Sequence, residues 1–144
     1  MLAPLGPVRH VVAPNCIHDT YLEGWFAADP QARFVFDQHI VRGMPRLNEV
    51  AFLHRPSRTL IVTDLVFNLG PEMPFLSRVL LKLNDCDCKF AVSRLLKTTI
   101  KDRAAVRKSI DHILSWDFDR IVVSHGRNVE SGGREMLREA FQFL

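Results

Sequence analysis

A chain of 144 residues, 47% hydrophobic and 24% charged, has the size and composition of one globular domain, residues 1–144, with a real core. Its net charge of +3 is spread along the sequence instead of gathered in a basic run, which argues against nucleic acid as a partner. No apolar run approaches the roughly 20 residues of a membrane span, MLAPLGPVRH lacks the apolar core of a signal peptide, and Cys16, Cys86 and Cys88 show no framework spacing, so a cytoplasmic protein without a membrane partner is expected.

In chain order, Leu5-Gly6-Pro7 reads as a turn and Val8 to Ala13 as a short strand closed by Pro14. Asn15 to Thr20 is a strand-to-helix loop with several N-cap candidates. Tyr21, Leu22, Trp25 and Phe26 recur at helical spacing and predict a helix over Thr20 to Ala28, stopped at Asp29-Pro30. Ala32 to Phe36 is a second strand. Asp37 to Asn48, polar and carrying Gly43 and Pro45, reads as a loop.

Glu49 to Asn68 is the most informative stretch. Val50, Phe52 and His54 share one strand face and Ala51 and Leu53 the other; Pro56-Ser57-Arg58 makes the turn. Thr59 to Thr63 is β-branched and apolar, a buried strand, and Asp64 stands where it ends. Glu49 reads as an exposed strand residue, a partner for Arg58 across the hairpin, or, like His54, an extra metal ligand.

Asn68-Leu69-Gly70-Pro71 is a turn. Glu72 to Leu83 predicts a helix with Phe75, Val79, Leu80 and Leu83 on one side, Asn84 to Cys88 a polar break, and Phe90 to Leu96 a short helix. Asp102 caps a long helix through Trp116, striped by Val106, Ile110, Ile113 and Leu114. Asp119 to Ser124 is a strand whose end carries His125-Gly126. Asn128 to Gly133 is a loop, and Arg134 to Leu144 a last helix with Met136, Leu137, Ala140, Phe141 and Leu144 on its core face. His10, His39 and His112 read as surface or boundary residues, and Phe141 and Phe143 as packing. Alternating strands and helices favour a mixed α/β layered fold.

Ligands in α/β folds gather beyond the C-terminal ends of strands. Three strand ends here carry polar groups: Asn15, His18 and Asp19 after the first strand, Asp64 after the hairpin, and His125 after the late strand. His and Asp from separate strand ends can converge on one metal. Cys86-Asp87-Cys88 lacks the two-residue spacer of zinc knuckles.

Thr59 to Phe67 (TLIVTDLVF) resembles the strand of metallo-β-lactamase-fold proteins that ends in a metal-bridging Asp, and Val122 to Gly126 (VVSHG) resembles their late strand ending in a liganding His. From GPVRHVVAPN through EVAFLHRPSRTLIVTDLVFN to WDFDRIVVSHG the chain looks like an uncharacterised branch of that superfamily. The resemblance implies an αββα sandwich, incomplete or truncated at the N-terminus, because the chain begins near the ligand-loop strand. It also puts the family's ligand-loop positions on Asn15, Ile17, Asp19 and Thr20, and its middle His on Met44 in Gly43-Met44-Pro45.

Asp19, Asp64 and His125 therefore match, with His18 one place out of register. The resemblance implies a metallo-hydrolase-like protein with a degraded site. At most one divalent metal (zinc, iron or manganese) is held by His18, Asp19, Asp64 and His125, with Asp19 and Asp64 as catalytic carboxylates acting on a small ester-like or phosphoester substrate. The alternative is a metal-free, non-enzymatic domain kept for binding or assembly, to which Ile17 and Met44 point. A shortened sheet implies an exposed edge and self-association into a homo-oligomer.

Overall fold

The computed structural model describes residues 37–144. The strands expected over Val8 to Ala13 and Ala32 to Phe36, and the helix over Thr20 to Ala28, lie outside the described residues. The described chain runs β1 (Asp37–Ile40), β2 (Val50–His54), β3 (Thr59–Val62), β4 (Phe67–Asn68), α1 (Phe75–Leu83), β5 (Phe90–Ala91), α2 (Arg94–Thr99), α3 (Arg103–Leu114), β6 (Arg120–Val123) and α4 (Gly133–Ala140). Four strands form a mixed sheet in the order β1-β2-β3-β6, and β4 and β5 form a separate two-stranded ladder. This is a mixed α/β arrangement, as alternating apolar strands and amphipathic helices require.

The β2–β3 hairpin follows from its turn chemistry. Pro56 presets φ within the 3-10 turn Arg55–Ser57, and Arg58 takes the left-handed conformation at φ 49°, its amide donating to the Arg55 carbonyl. The Arg58 carbonyl accepts from the amides of Asp119 and Arg120, so the same turn seats the start of β6. β6 lies parallel to β3, with Leu60 beside Ile121 and Val62 beside Val123.

Strand pairing decides which side chains form the core. The registers put His39, Ala51, Leu53, Leu60, Val62, Ile121 and Val123 on one face. All but His39 are buried, and α3 and α4 contact the sheet at β1 and β6. Val106, Ile110 and Ile113 of α3 are fully buried, each worth about 1.5–3 kcal/mol of transfer free energy. Asp102 caps that helix, its carboxylate accepting from the Ala105 amide at 2.9 Å. On the opposite sheet face Ile40 and Val122 remain 45% and 38% exposed.

Four expectations are corrected. Asp37 to Asn48 is not all loop: Asp37–Ile40 is a strand, held by backbone pairing with β2, which its polar sequence does not advertise. The helix expected from Glu72 starts at Phe75, after Pro74 at the N-cap. Phe90 to Leu96 divides: Phe90–Ala91 pairs with Phe67–Asn68, and Ser93 caps a helix beginning at Arg94 by accepting from the Leu96 amide. The last helix, expected over Arg134 to Leu144, spans Gly133–Ala140 and gives way to a turn. The one-sided apolar stripe of α1 is present, but none of its residues is buried; Phe75 is 83% exposed.

His39 makes this fold sensitive to pH. Its ring lies 4.3 Å from the His112 ring on α3, and the Trp116 indole is edge-on to both. Desolvation, then the charges of His112 and Arg42, hold its pKa below the ordinary 6.5. The unfolded chain therefore binds a proton near pH 6.5 that the native state still refuses. Stability should be level above that pH and fall as pH drops through it. Urea midpoints measured from pH 8 to 5 are expected to fall below pH 6.5, and less so in His39→Gln. The carboxylates of Asp37, Asp85 and Asp87, held low by hydrogen bonds from Arg55, Lys89 and Arg78, act only at lower pH.

Candidate functional site

Asp64 and His125 each lie two residues beyond the last paired residues of adjacent parallel strands, Val62 and Val123. Parallel registry delivers both side chains to the same end of the sheet. His125 Nε2 and Asp64 Oδ1 are 2.7 Å apart. An ionised carboxylate only accepts, so Nε2–H donates, and in the neutral ring the lone pair sits on Nδ1. The Asp64 side chain is 16% exposed and that of His125 41%, so the imidazole faces solvent while the carboxylate backs it. Phe67 stacks on His125 with centroids 5.1 Å apart and 17° between the planes, which fixes the ring from one side.

Glu49 holds the Asp64 corner. The hairpin register, extended past Phe52 and Ile61, sets Glu49 opposite Asp64. It is fully buried. One oxygen accepts from the Thr63 amide at 2.6 Å; the other accepts from the Thr63 hydroxyl at 2.7 Å and the Asp64 amide at 3.4 Å. Leu65 and Val66, both fully buried, then pull the chain into the core.

A second lacing fixes the His125 side. The Asn68 amide donates to the His125 carbonyl at 2.9 Å, the Arg127 amide donates to the Asn68 carbonyl at 2.9 Å, and Asn68 Nδ2 donates to the Arg127 carbonyl at 2.7 Å. Between them Gly126 adopts φ +112°, and a Cβ there would collide with the Asn68 carbonyl. Arg127 forms a bidentate ion pair with Glu72, at 2.8 and 3.2 Å.

Of the expected site residues, Asp64 and His125 are brought into contact; His18 and Asp19 lie outside the described residues. Glu49 is corrected: it is neither exposed nor paired with Arg58, which instead binds Asp117 at 2.7 Å. Its oxygens accept from the Thr63 amide and hydroxyl and from the Asp64 amide, which anchors the corner. His54 is corrected too. It pairs in register with Thr59, the first residue of β3, so it lies at the opposite end of the sheet, roughly 16 Å along the strand from Asp64. Its Nδ1 is hydrogen-bonded to Ser57 Oγ at 2.7 Å. Met44 is 1% exposed and part of the core.

Sequence reading missed Phe67 and Asn68 as parts of this site, and it offered Glu49 as a ligand and not as the anchor of the Asp64 corner. Counting the hairpin register outward from the turn finds Glu49; nothing local signals the other two. Among the described residues no group of three or more His, Cys, Asp or Glu is placed to hold a metal ion. Asp64 and His125 supply two donors of the right chemistry, one short of the three protein ligands that a catalytic metal site uses. Among the described residues no helix is long and apolar enough to cross a membrane. Compared with known proteins, the sequence matches neither a family model nor a curated protein.

Proposed function

We propose that this chain is a metallo-hydrolase-like protein of the metallo-β-lactamase type whose site has been reduced to the Asp64–His125 pair plus one donor, His18 or Asp19. The observation that carries the reading is the 2.7 Å contact between two ligand-type side chains at the ends of adjacent parallel strands. When bound, a divalent cation supplies Lewis acidity and a water of lowered pKa.

The chain's own residues do the rest. Asp64 keeps Nε2–H engaged, so His125 presents the Nδ1 lone pair as the ligand that would hold the cation, and Asp19, where it joins them, is the carboxylate able to take a proton from water attacking a small ester-like or phosphoester substrate. Asp64, and Asp19 where it joins them, supply the negative charge that favours a cation. Three cysteines without framework spacing fit a reducing, cytoplasmic setting.

A second reading, a metal-free domain retained for binding or assembly, is favoured by Met44. The position matching the family's middle histidine is packed into the core, where no donor is needed.

Metal content separates the two. Protein purified without added metal should carry about one equivalent of zinc, iron or manganese per chain, lost in the Asp64→Ala/His125→Ala variant, and should hydrolyse a chromogenic phosphoester or ester slowly. Metal-free protein whose stability and hydrolysis are untouched by the double substitution would sink the enzyme reading.

A further inference from the structure

A second cluster of chemistry-bearing side chains lies on the other flank of the sheet, where β1 meets α3. His39, Arg42, Ala105, Lys108, Ser109 and His112 line a cleft of about 220 Å³. Four of the six carry, or can carry, positive charge, and none is a carboxylate. Among the described residues neither Arg42 nor Lys108 forms an ion pair. Concentrating like charge without compensation raises the energy of the free protein, and a bound anion relieves it.

The corner is fixed independently of any ligand. The Arg42 amide donates to Ser109 Oγ at 3.0 Å, and Ser109 Oγ donates to the Ala105 carbonyl at 3.0 Å, tying the loop after β1 to α3. The His39 and His112 rings stack at 4.3 Å. Within this frame His39 Nε2 is buried with no hydrogen-bond partner. A buried polar atom left unpaired costs about 1–3 kcal/mol, so it marks a place where a partner is missing. His39 and Arg42 also line an adjoining cleft of about 320 Å³ with Gln38, Ile40 and Val50.

We propose that the β1–α3 cleft binds the phosphoryl group of a small, soluble phosphate monoester. Arg42 and Lys108 neutralise its two charges, the paired imidazoles donate to its oxygens, and its organic part lies along Ile40 and Val50 in the adjoining cleft. The Arg guanidinium supplies a planar fork and Lys a point charge, a pairing that suits a dianion. The first cleft is smaller than the roughly 300–1,000 Å³ of sites that enclose drug-sized ligands, so it admits a head group and not a whole metabolite. Because a lipid head group carries the same phosphoryl chemistry, the test separates the two sources. Neither the Asp64–His125 pair nor its metal enters this proposal.

Inorganic phosphate is titrated into the full chain at constant ionic strength while the imidazole proton resonances are followed by NMR. Saturable shifts of His39 and His112 are expected. Affinity should be at least about ten-fold weaker in Arg42→Ala/Lys108→Ala, and butyl phosphate should bind tighter than phosphate. Arg42 and Lys108 are exposed, so the variant should unfold at the wild-type urea midpoint. Lys108→Glu provides a second, charge-reversed check that should abolish the shifts. Unsaturable shifts, equal shifts with chloride, or undiminished binding by the variants would overturn the site. Sedimentation with phosphatidic acid vesicles that the double variant loses, without preference for butyl phosphate, would overturn the soluble ligand in favour of a lipid head group.

Discussion

Replacing Glu49 with alanine is expected to destabilise the fold by about 3–5 kcal/mol, a large share of the stability of a domain this size. The carboxylate is fully buried and receives the Thr63 amide, the Thr63 hydroxyl and the Asp64 amide. Truncation leaves these donors facing a cavity where water does not replace the lost acceptor in full, and it removes packing at the end of β3. Glu49→Gln is the informative partner. Its amide keeps one carbonyl acceptor but turns an NH2 toward a second donor, so about half the loss is expected. Urea unfolding at pH 7.5 checks both. A midpoint for Glu49→Ala within error of wild type would show that the carboxylate does not anchor the corner.

Gly126→Ala should cost about 2–4 kcal/mol and separate His125 from Asp64. Two penalties coincide there. The residue sits at φ +112°, which an L side chain rarely adopts, and the new Cβ would press on the Asn68 carbonyl and lie 2.8 Å from the Leu69 amide nitrogen. Those atoms belong to backbone held by the Asn68–His125 and Arg127–Asn68 hydrogen bonds, so neither side yields cheaply. Gly132→Ala is the control. Gly132 also has positive φ, at +71°, but a Cβ there would meet nothing within 4 Å, so only the conformational cost of about 1–2 kcal/mol applies. Equal losses at the two positions would show that the collision with Asn68 is not felt.

The parts of the fold that could be read from sequence are those where one local signal dominates. The β2–β3 hairpin has strict apolar runs around Pro56, and α3 has a capping Asp102 ahead of a 3.6-residue stripe; both lie close to where they were expected. β1 was illegible because Asp37-Gln38-His39-Ile40 has a helper in space, β2, and no pattern of its own. Phe90–Ala91 failed because two apolar residues fit a helix turn and a strand equally well.

The candidate site divides in the same way. Asp64 and His125 were visible because polar residues closing apolar strands stand out. Glu49 was named only as a ligand, a partner for Arg58 or an exposed residue; its anchoring role was not visible, since its burial arises from a hairpin register that sets it against the donors of Thr63 and Asp64, and a lone acidic residue before a strand ordinarily points to solvent. The lacing through Asn68 joins segments far apart in the chain, which no local pattern encodes.

The parallel pairing of β3 with β6 also has a kinetic consequence. These strands are neighbours in the sheet, yet everything from Thr63 to Asp119 separates them along the chain. Bringing them together means closing that long loop before any contact between them compensates its entropy, which places the step late and makes folding slow for a domain of this size. The hairpin and α3, built from local contacts, can form earlier. Asp64 and His125 sit at the far tip of the β3–β6 pair, so their contact is acquired only when the last strand docks. A partly folded chain that retained the hairpin but had lost β6 would keep most of its local structure and none of its site.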